Sequence, residues 1–205
     1  MNQSSSIHWE EGGHTFSAVW HSENGIAPHK KVVTADDTLT ADDAYRLACE
    51  GTAILWRGDF QNARQLLQAL VRRIDKPSKK SHRADRVEKE KSKSPLEAFN
   101  LHRLSQSQRA RILGMLLIPV NADHTVSLRR APDVAQACLE AYGNQTESYV
   151  ISLRELLGVI SAHEWRKKGV QVLTRDDEEI RIHPHYGVFS PVRGEYRSEE
   201  HTSEL

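Results

Sequence analysis

Apolar residues recur at three- and four-residue spacing in five segments of this chain, and this spacing predicts five amphipathic helices. The clearest segment is 60–74, where seven apolar side chains share one helical face: Phe60, Ala63, Leu66, Leu67, Leu70, Val71 and Ile74. Capping residues or a first-turn proline predict where the helices begin: Thr40, Asp59, Ser94, Pro132 and Ser152. Glycine or proline predicts where four of them end: Gly51, Pro119, Gly143 and Gly169.

Few segments have the pattern of a strand. Residues 170–173 and 180–183 are typical of two short strands that form a hairpin, and residues 14–20 alternate weakly between apolar and polar. The apolar run 52–56 is interpreted as a bridge between helices, and the run near 117 as the end of a helix that starts at Pro95. The first 35 residues are polar and irregular, which predicts a poorly ordered segment.

These patterns predict a mainly α protein, with about five helices packed as a small bundle. A short C-terminal β-hairpin and an extended connector follow the bundle. The predicted units are a poorly ordered segment over residues 1–35, a helical domain over 36–169, and the hairpin with its connector over 170–196.

Composition adds little about partners, because the chain has 205 residues with 38% hydrophobic and 27% charged content and a formal net charge of zero. Cys49 and Cys138 each lie in a helical apolar pattern, which predicts buried, reduced thiols. Neither an export signal nor a membrane-spanning run is visible, so a cytoplasmic protein is expected.

The stretch 76–93 is strongly basic. The interval 72–93 contains ten Lys or Arg residues against four Asp or Glu residues, and apolar side chains almost vanish from residue 76 onward. Such composition predicts a mobile basic loop. Its functional interpretation is a phosphate-contacting patch, and its structural interpretation is a solvated insertion between helices.

Motifs for catalysis, metals or cofactors are not found. The histidines of His183-Pro184-His185 have no partner pair at zinc-ligand spacing, and His163-Glu164 lacks a second histidine because Lys167 stands in its place. No Gly-x-Ser-x-Gly and no Gly-x-Gly occurs. The tripeptide 57–59 spells an adhesion motif, but Asp59 is better explained as a helix cap. The sequence therefore predicts no catalytic residue, no cofactor-binding residue and no metal ligand.

Four blocks of sequence, at 47–70, 109–120, 152–170 and 182–196, resemble the N-terminal part of bacterial class I methyltransferases that use S-adenosylmethionine. The most specific block is 182–196, IHPHYGVFSPVRGEY, which combines prolines, glycines and rings as expected of an extended connector. The resemblance implies that a Rossmann-like catalytic domain follows residue 196, with an acidic, glycine-rich cofactor loop and an Asn-Pro-Pro-aromatic motif. That domain is missing from this sequence, so S-adenosylmethionine is expected to bind the full-length protein and not this fragment.

The resemblance also implies a role for the connector. By analogy with the layout of glutamine methyltransferases that act on translation factors, Tyr186, Gly187 and Phe189 would lie near an acceptor pocket, with Arg193 and Glu195 near the interdomain seam. Alternatively, Tyr186 and Phe189 only fill a groove between the domains. The acceptor is expected to be an amide or amine nitrogen of a protein or a nucleic acid, and the catalytic domain is the expected partner in cis.

Two further expectations complete the interpretation. The alternative function is a stand-alone helical binding module whose basic loop contacts RNA or an acidic protein, and a folded remnant without activity is a third option. The last nine residues, 197–205, read RSEEHTSEL, which resembles a sequencing-library adapter translated in frame. They are expected to carry no biological information, and the fragment is expected to be inactive alone.

Overall fold

A six-stranded mixed sheet forms the centre of the protein. The computed structural model describes residues 5–76, 94–173 and 179–188. The strands, in chain order β1 to β6, are Ser6–Glu11, His14–Trp20, Val32–Ala35, Ala53–Trp56, Leu116–Val120 and Tyr149–Ser152. Their spatial order is β1-β2-β6-β5-β4-β3. Pairs β1–β2 and β5–β6 are antiparallel, whereas β2–β6, β3–β4 and β4–β5 are parallel.

The sheet curls until its two outer strands meet. β1 and β3 lie at opposite ends of the strand order yet contact each other. Arg57, which follows β4, donates from Nη2 to Glu11 Oε2 at 2.6 Å and from Nε to Oε1 at 3.1 Å, so a bidentate ion pair joins the two ends. The arrangement is an almost closed barrel, which leaves little exposed strand edge.

Five helices of the described residues surround the sheet, and a separate hairpin follows them. The helices α1 to α5 are Ala41–Cys49, Phe60–Asp75, Pro95–Leu113, Ala135–Tyr142 and Leu153–Lys168. The hairpin pairs β7, Val170–Leu173, with β8, Glu179–Ile182, in antiparallel register as predicted.

Side chains cap most of these helices. Four predicted N-caps are confirmed: Thr40, Asp59, Ser94 and Ser152 each accept a hydrogen bond from a backbone amide of the first turn. α4 begins at Ala135 rather than at Pro132.

The prediction of a mainly α bundle is wrong, because the structure is a mixed α/β fold built on the sheet. Strands β4 and β6 are buried at every position, and β5 at all but Pro119, so none of them shows the alternation that marks a half-buried strand. The apolar bridge at 52–56 is in fact β4. The helix from Pro95 ends at Leu113 with Gly114 as its C-cap, and the apolar residues assigned to its last turn form β5.

The poorly ordered segment predicted for residues 1–35 is likewise wrong over the described part, residues 5–35. It supplies β1, β2 and β3, and its residues Ile7, Trp9 and Trp20 are buried. The weakly predicted strand at 14–20 is confirmed as β2. Isolated apolar residues in a polar context become core residues here because the rest of the sheet covers them.

Two apolar clusters cover the two faces of the sheet. Alternate strand residues divide between them: Ile54, Leu116 and Ile118 pack in one cluster with α2, α4 and α5, whereas Leu55 and Leu117 pack in the other with β1 and Ile112 of α3. Cys138 is buried as predicted, but Cys49 is exposed, so that half of the thiol prediction is wrong.

α3 departs most from the bundle prediction. Its only buried residues are Ile112 and Leu113, near its C-terminus, and four apolar side chains in its first half are exposed: Leu96, Phe99, Leu101 and Leu104. Across the described ranges, no helix combines the length and the apolarity that crossing a bilayer requires. The basic stretch lies outside the described residues apart from Lys76.

Candidate functional site

A cavity of about 650 Å³ lies between the segment after β2, the last turns of α3 and the first turns of α5. Its volume falls in the range of small-molecule sites. Six of its lining residues carry rings or charges: Trp20, His29, Arg111, Arg154, Glu155 and Tyr186. Four separate parts of the chain therefore contribute charged or ring-bearing side chains to one cavity.

Glu155 is the central polar group of this cavity. Its backbone N–H donates to the Ser152 hydroxyl at 3.2 Å, which caps α5. The predicted capping box is only half formed, because the Glu155 carboxylate turns away from the helix end. Its Oε1 accepts from the Glu23 backbone amide at 3.0 Å and from the Tyr142 hydroxyl at 3.1 Å. Among the described residues no hydrogen bond reaches Oε2.

Burial shifts the pKa of two groups that line the cavity. It raises the pKa of the half-buried Glu155 carboxyl, and the Glu23 amide and Tyr142 hydroxyl oppose that rise. Burial also lowers the pKa of His29, and a hydrogen bond with the Gly114 backbone opposes that fall. The His29 ring lies edge-on to Trp20 at a centroid distance of 5.1 Å.

Trp20 anchors the wall of the cavity. Its ring is buried, and its Nε1–H donates to the Ile26 carbonyl oxygen at 2.6 Å. This bond satisfies the polar atom of the indole and fixes the loop that follows β2. The loop therefore holds His29 and Glu23 in place.

Two arginines on different helices bring positive charge to the cavity. Arg111 lies in the last turn of α3 and Arg154 in the first turn of α5, and both are exposed. Within the ranges that the structure describes, neither guanidinium forms an ion pair, either with Glu155 or with another acid. The cavity thus presents one carboxylate and two uncompensated cations.

Small residues keep the cavity open. Gly114 and Gly158 both line it, and Gly158 also borders a second cavity of about 280 Å³ beside Trp165 and Gly187. A Cβ atom placed on Gly158 would meet nothing within 4 Å. Gly158 lies inside α5, where glycine destabilises a helix relative to alanine. The residue that destabilises the helix therefore also leaves open space in the cavity.

Of the predicted site residues, the structure brings Tyr186 to the cavity. Its ring is half-buried and packs edge-on against Tyr142 at a centroid distance of 6.0 Å, and burial raises its pKa. Gly187 borders the smaller cavity, in a turn with φ of +78°. The other three predicted residues, Phe189, Arg193 and Glu195, lie outside the described residues. In the described part of the connector, Tyr186 packs against the core and the exposed His183 donates from Nδ1–H to the Arg166 carbonyl oxygen at 2.6 Å.

A cluster of rings lies behind the cavity, and sequence reasoning missed it. His21 packs against Tyr142 and Tyr149 at centroid distances of 5.0 and 4.5 Å, and burial lowers its pKa. His124 Nε2–H donates to the Gly143 carbonyl oxygen at 2.9 Å, and Nδ1 lies 3.0 Å from the Tyr149 hydroxyl. The members are spread over 129 residues of sequence, so no local spacing could have revealed them.

Other sequence motifs have structural roles. Asp59 is buried, caps α2 through the Gln61 amide at 2.8 Å and accepts from Arg129 and Arg130 at 3.1 and 2.6 Å. Chiefly the hydrogen bond from Arg130 lowers the pKa of Asp59 to about 2. No cluster of three or more potential metal ligands occurs among the described residues, which include His183 and His185.

No family model, curated protein or solved structure matches this chain. Its function is therefore inferred from the cavity and from the sequence resemblance.

Proposed function

We propose that this chain recognises the methyl acceptor of a methyltransferase that uses S-adenosylmethionine, and that the cavity around Glu155 holds the acceptor. The observation that carries the proposal is the position of Tyr186. This residue of the methyltransferase-like connector lines a cavity that also contains a carboxylate with one oxygen free of hydrogen bonds among the described residues.

The polar groups of the cavity suit an acceptor nitrogen that bears hydrogen. Glu155 Oε2 can accept from such an N–H, while the Glu23 amide and the Tyr142 hydroxyl hold Oε1 and fix the carboxylate plane. Methyl transfer depends mainly on holding the acceptor in line with the methyl donor, so a rigid carboxylate serves it by positioning. A catalytic domain tethered after the connector would lie close to this cavity.

Within residues 5–76, 94–173 and 179–188, no strand is joined to a helix by a glycine-rich turn that would hold the cofactor. In a Rossmann-like domain it would bind at a glycine-rich turn between the first strand and helix. The turn between β4 and α2 contains a single glycine, Gly58, and the Asp59 carboxylate there forms ion pairs with Arg129 and Arg130. No step of the reaction is therefore assigned to the cofactor here.

Two measurements test this division of labour. Titration calorimetry of the 205-residue chain with S-adenosylmethionine is expected to give no heat of binding, and stoichiometric binding would contradict the proposal. The genomic DNA after codon 196 is expected to encode a glycine-rich acidic loop and later Asn-Pro-Pro-aromatic. A reading frame without them would contradict the assignment to a methyltransferase.

The role of the cavity has a separate test in the longer protein that this frame would encode. Gly158→Leu places a side chain in the open space and is expected to raise KM for the acceptor about tenfold or more, with KM for S-adenosylmethionine unchanged. Glu164→Leu introduces the same side chain on the same helix at an exposed position outside the cavity, and it is the matched control. Equal changes in the acceptor KM for the two variants would show that the acceptor does not bind in this cavity.

A further inference from the structure

We propose that the cavity binds a nucleotide whose base carries an exocyclic amino group. In this arrangement Glu155 accepts from the amino group, and Arg111 with Arg154 binds the phosphate. The inference rests on the proposed function in one respect, since it names the chemical class of the acceptor. It is carried by the geometry of three groups that line one cavity.

The carboxylate is arranged to accept a hydrogen bond from a ligand. Oε1 of Glu155 is already bound to the Glu23 amide and the Tyr142 hydroxyl, and these two bonds prevent the side chain from rotating freely. Oε2 has no hydrogen-bond donor among the described residues. Asp and Glu side chains recognise exocyclic amines, such as N4 of cytosine, by accepting a hydrogen bond from them. A carbonyl at the same position, as in uracil, would face the carboxylate with like partial charge.

The two arginines identify the other end of the ligand. Arg111 and Arg154 come from different helices, line the same cavity and have no acidic partner in the described part of the chain. Guanidinium groups bind phosphate oxygens in a planar, bidentate manner. Since Glu155 forms no ion pair with them among the described residues, the cavity offers both a carboxylate and two guanidinium groups to a ligand. A ligand that carries both an amine and a phosphate matches these two kinds of group.

The walls between the two ends suit a flat ring. Tyr186 is half-buried and lines the cavity, and the His29 imidazole lies next to Trp20. Aromatic side chains stack on nucleobases without needing a specific sequence. The absence of side chains at Gly114 and Gly158 leaves room for a ring between α3 and α5.

Calorimetry with five small probes tests the proposal on the chain itself. Cytidine 5′-monophosphate is expected to bind with 1:1 stoichiometry. Uridine 5′-monophosphate is expected to bind about tenfold more weakly or worse, because it lacks the amine. Cytidine and inorganic phosphate are each expected to bind more weakly than the nucleotide. Equal affinity for the two nucleotides, no binding of either, or binding of N-acetylglutamine amide in their place would overturn the proposal.

One variant makes the test specific for Glu155. Glu155→Gln retains Oε1 as the acceptor for Glu23 and Tyr142, but it replaces Oε2 with the amide NH2 group, which donates hydrogen bonds. The preference between the two nucleotides is therefore expected to reverse in favour of uridine monophosphate. An unchanged preference would overturn the assignment of Oε2 to the base.

A second variant tests the phosphate end without touching the core. Arg111→Ala with Arg154→Ala changes two exposed side chains and is expected to lower the affinity for cytidine monophosphate to that for cytidine. Arg103→Ala, an exposed arginine of α3 beside Phe99 and outside the cavity, is the control and is expected to bind normally. Loss of binding in the control alone would overturn the assignment.

The failure of this inference differs from the failure of the proposed function. If the longer protein transfers methyl groups while this chain ignores nucleotides, only the nucleotide assignment falls. If nucleotides bind as described while the genomic frame lacks a cofactor loop, the cavity is a nucleotide site and the methyltransferase proposal falls.

Discussion

The Glu155 carboxylate accepts a hydrogen bond from the Glu23 backbone amide at 3.0 Å, across 132 residues of sequence. This contact joins the loop after β2 to the first turn of α5 and closes one side of the cavity. The same oxygen accepts from Tyr142 at the end of α4. The cavity is therefore shaped by bonds between distant segments, and its stability depends on the whole sheet.

Gly158→Ala is expected to stabilise the protein. The added Cβ meets nothing within 4 Å, and alanine is better than glycine inside a helix by about 0.5 to 1 kcal/mol. The thermal midpoint should rise by about 1 to 4 °C for a chain of this size. A lower midpoint in a calorimetric scan would show that the space beside Gly158 is filled.

Gly58→Ala is expected to have the opposite effect. Its Cβ would lie 2.6 Å from Asp37 Oδ1 and 2.8 Å from the Asp37 backbone nitrogen, so the backbone before α1 must shift. Steric crowding of this kind costs about 1 to 3 kcal/mol. Urea unfolding of Gly158→Ala and Gly58→Ala tests both predictions. Equal unfolding midpoints would contradict the close packing at Gly58.

Leu116→Ala and Leu104→Ala distinguish the observed fold from a helical bundle. Leu116 is fully buried in β5, so its truncation is expected to cost about 2 to 5 kcal/mol. Leu104 on α3 is 54% exposed, and its truncation should change the unfolding free energy by no more than about 0.5 kcal/mol. In a bundle built on one long helix over 95–117, both would be core residues. Similar losses in urea unfolding would therefore favour the bundle.

Asp59→Asn should remove a pH-dependent part of the stability. The folded-state pKa of Asp59 is about 2, below its ordinary value of 3.8, so its contribution is complete above pH 3.8 and is lost as the pH falls toward 2. Asparagine can still cap α2, but it cannot form ion pairs with Arg129 and Arg130. The variant should be less stable than the parent at pH 7, and urea midpoints should converge between pH 3.8 and 2. A difference in urea midpoint that stays constant with pH would contradict the ion pairs of Asp59.

Tyr149→Phe tests the buried ring cluster. It removes the hydroxyl that hydrogen-bonds to His124 Nδ1 at 3.0 Å, and a buried polar atom left without a partner costs about 1 to 3 kcal/mol. A double-mutant cycle with His124→Ala should give a coupling energy of about 0.5 to 3 kcal/mol. Additive losses would mean that the two side chains do not interact.

The helices were the predictable part of this fold, because their signals are local. Thr40, Asp59 and Ser94 cap the helices that follow them, as the sequence indicates, and Gly143 and Gly169 are the C-caps of α4 and α5. A cap and its helix lie within four residues of each other, so the chemistry can be read without knowing the fold.

The buried strands and most of the cavity were not predictable in this way. Residues 53–56 and 149–152 are apolar on both faces, and such short runs look the same whether they end a helix or form the centre of a sheet. Of the residues argued to bind the ligand, only Tyr186 was predicted. Arg111, Arg154, Glu155 and His29 lie far apart in sequence and carry no joint motif.

The sequence by itself determined where four of the described helices begin and that α4 and α5 end at glycines, since capping depends on contacts between near neighbours. Only the tertiary structure decided that three apolar runs pair as strands and that Glu155 bonds to Glu23 and not to its own helix end. The reason is physical. Strand pairing and cavity formation are contacts between distant segments, which the local pattern of side chains does not specify.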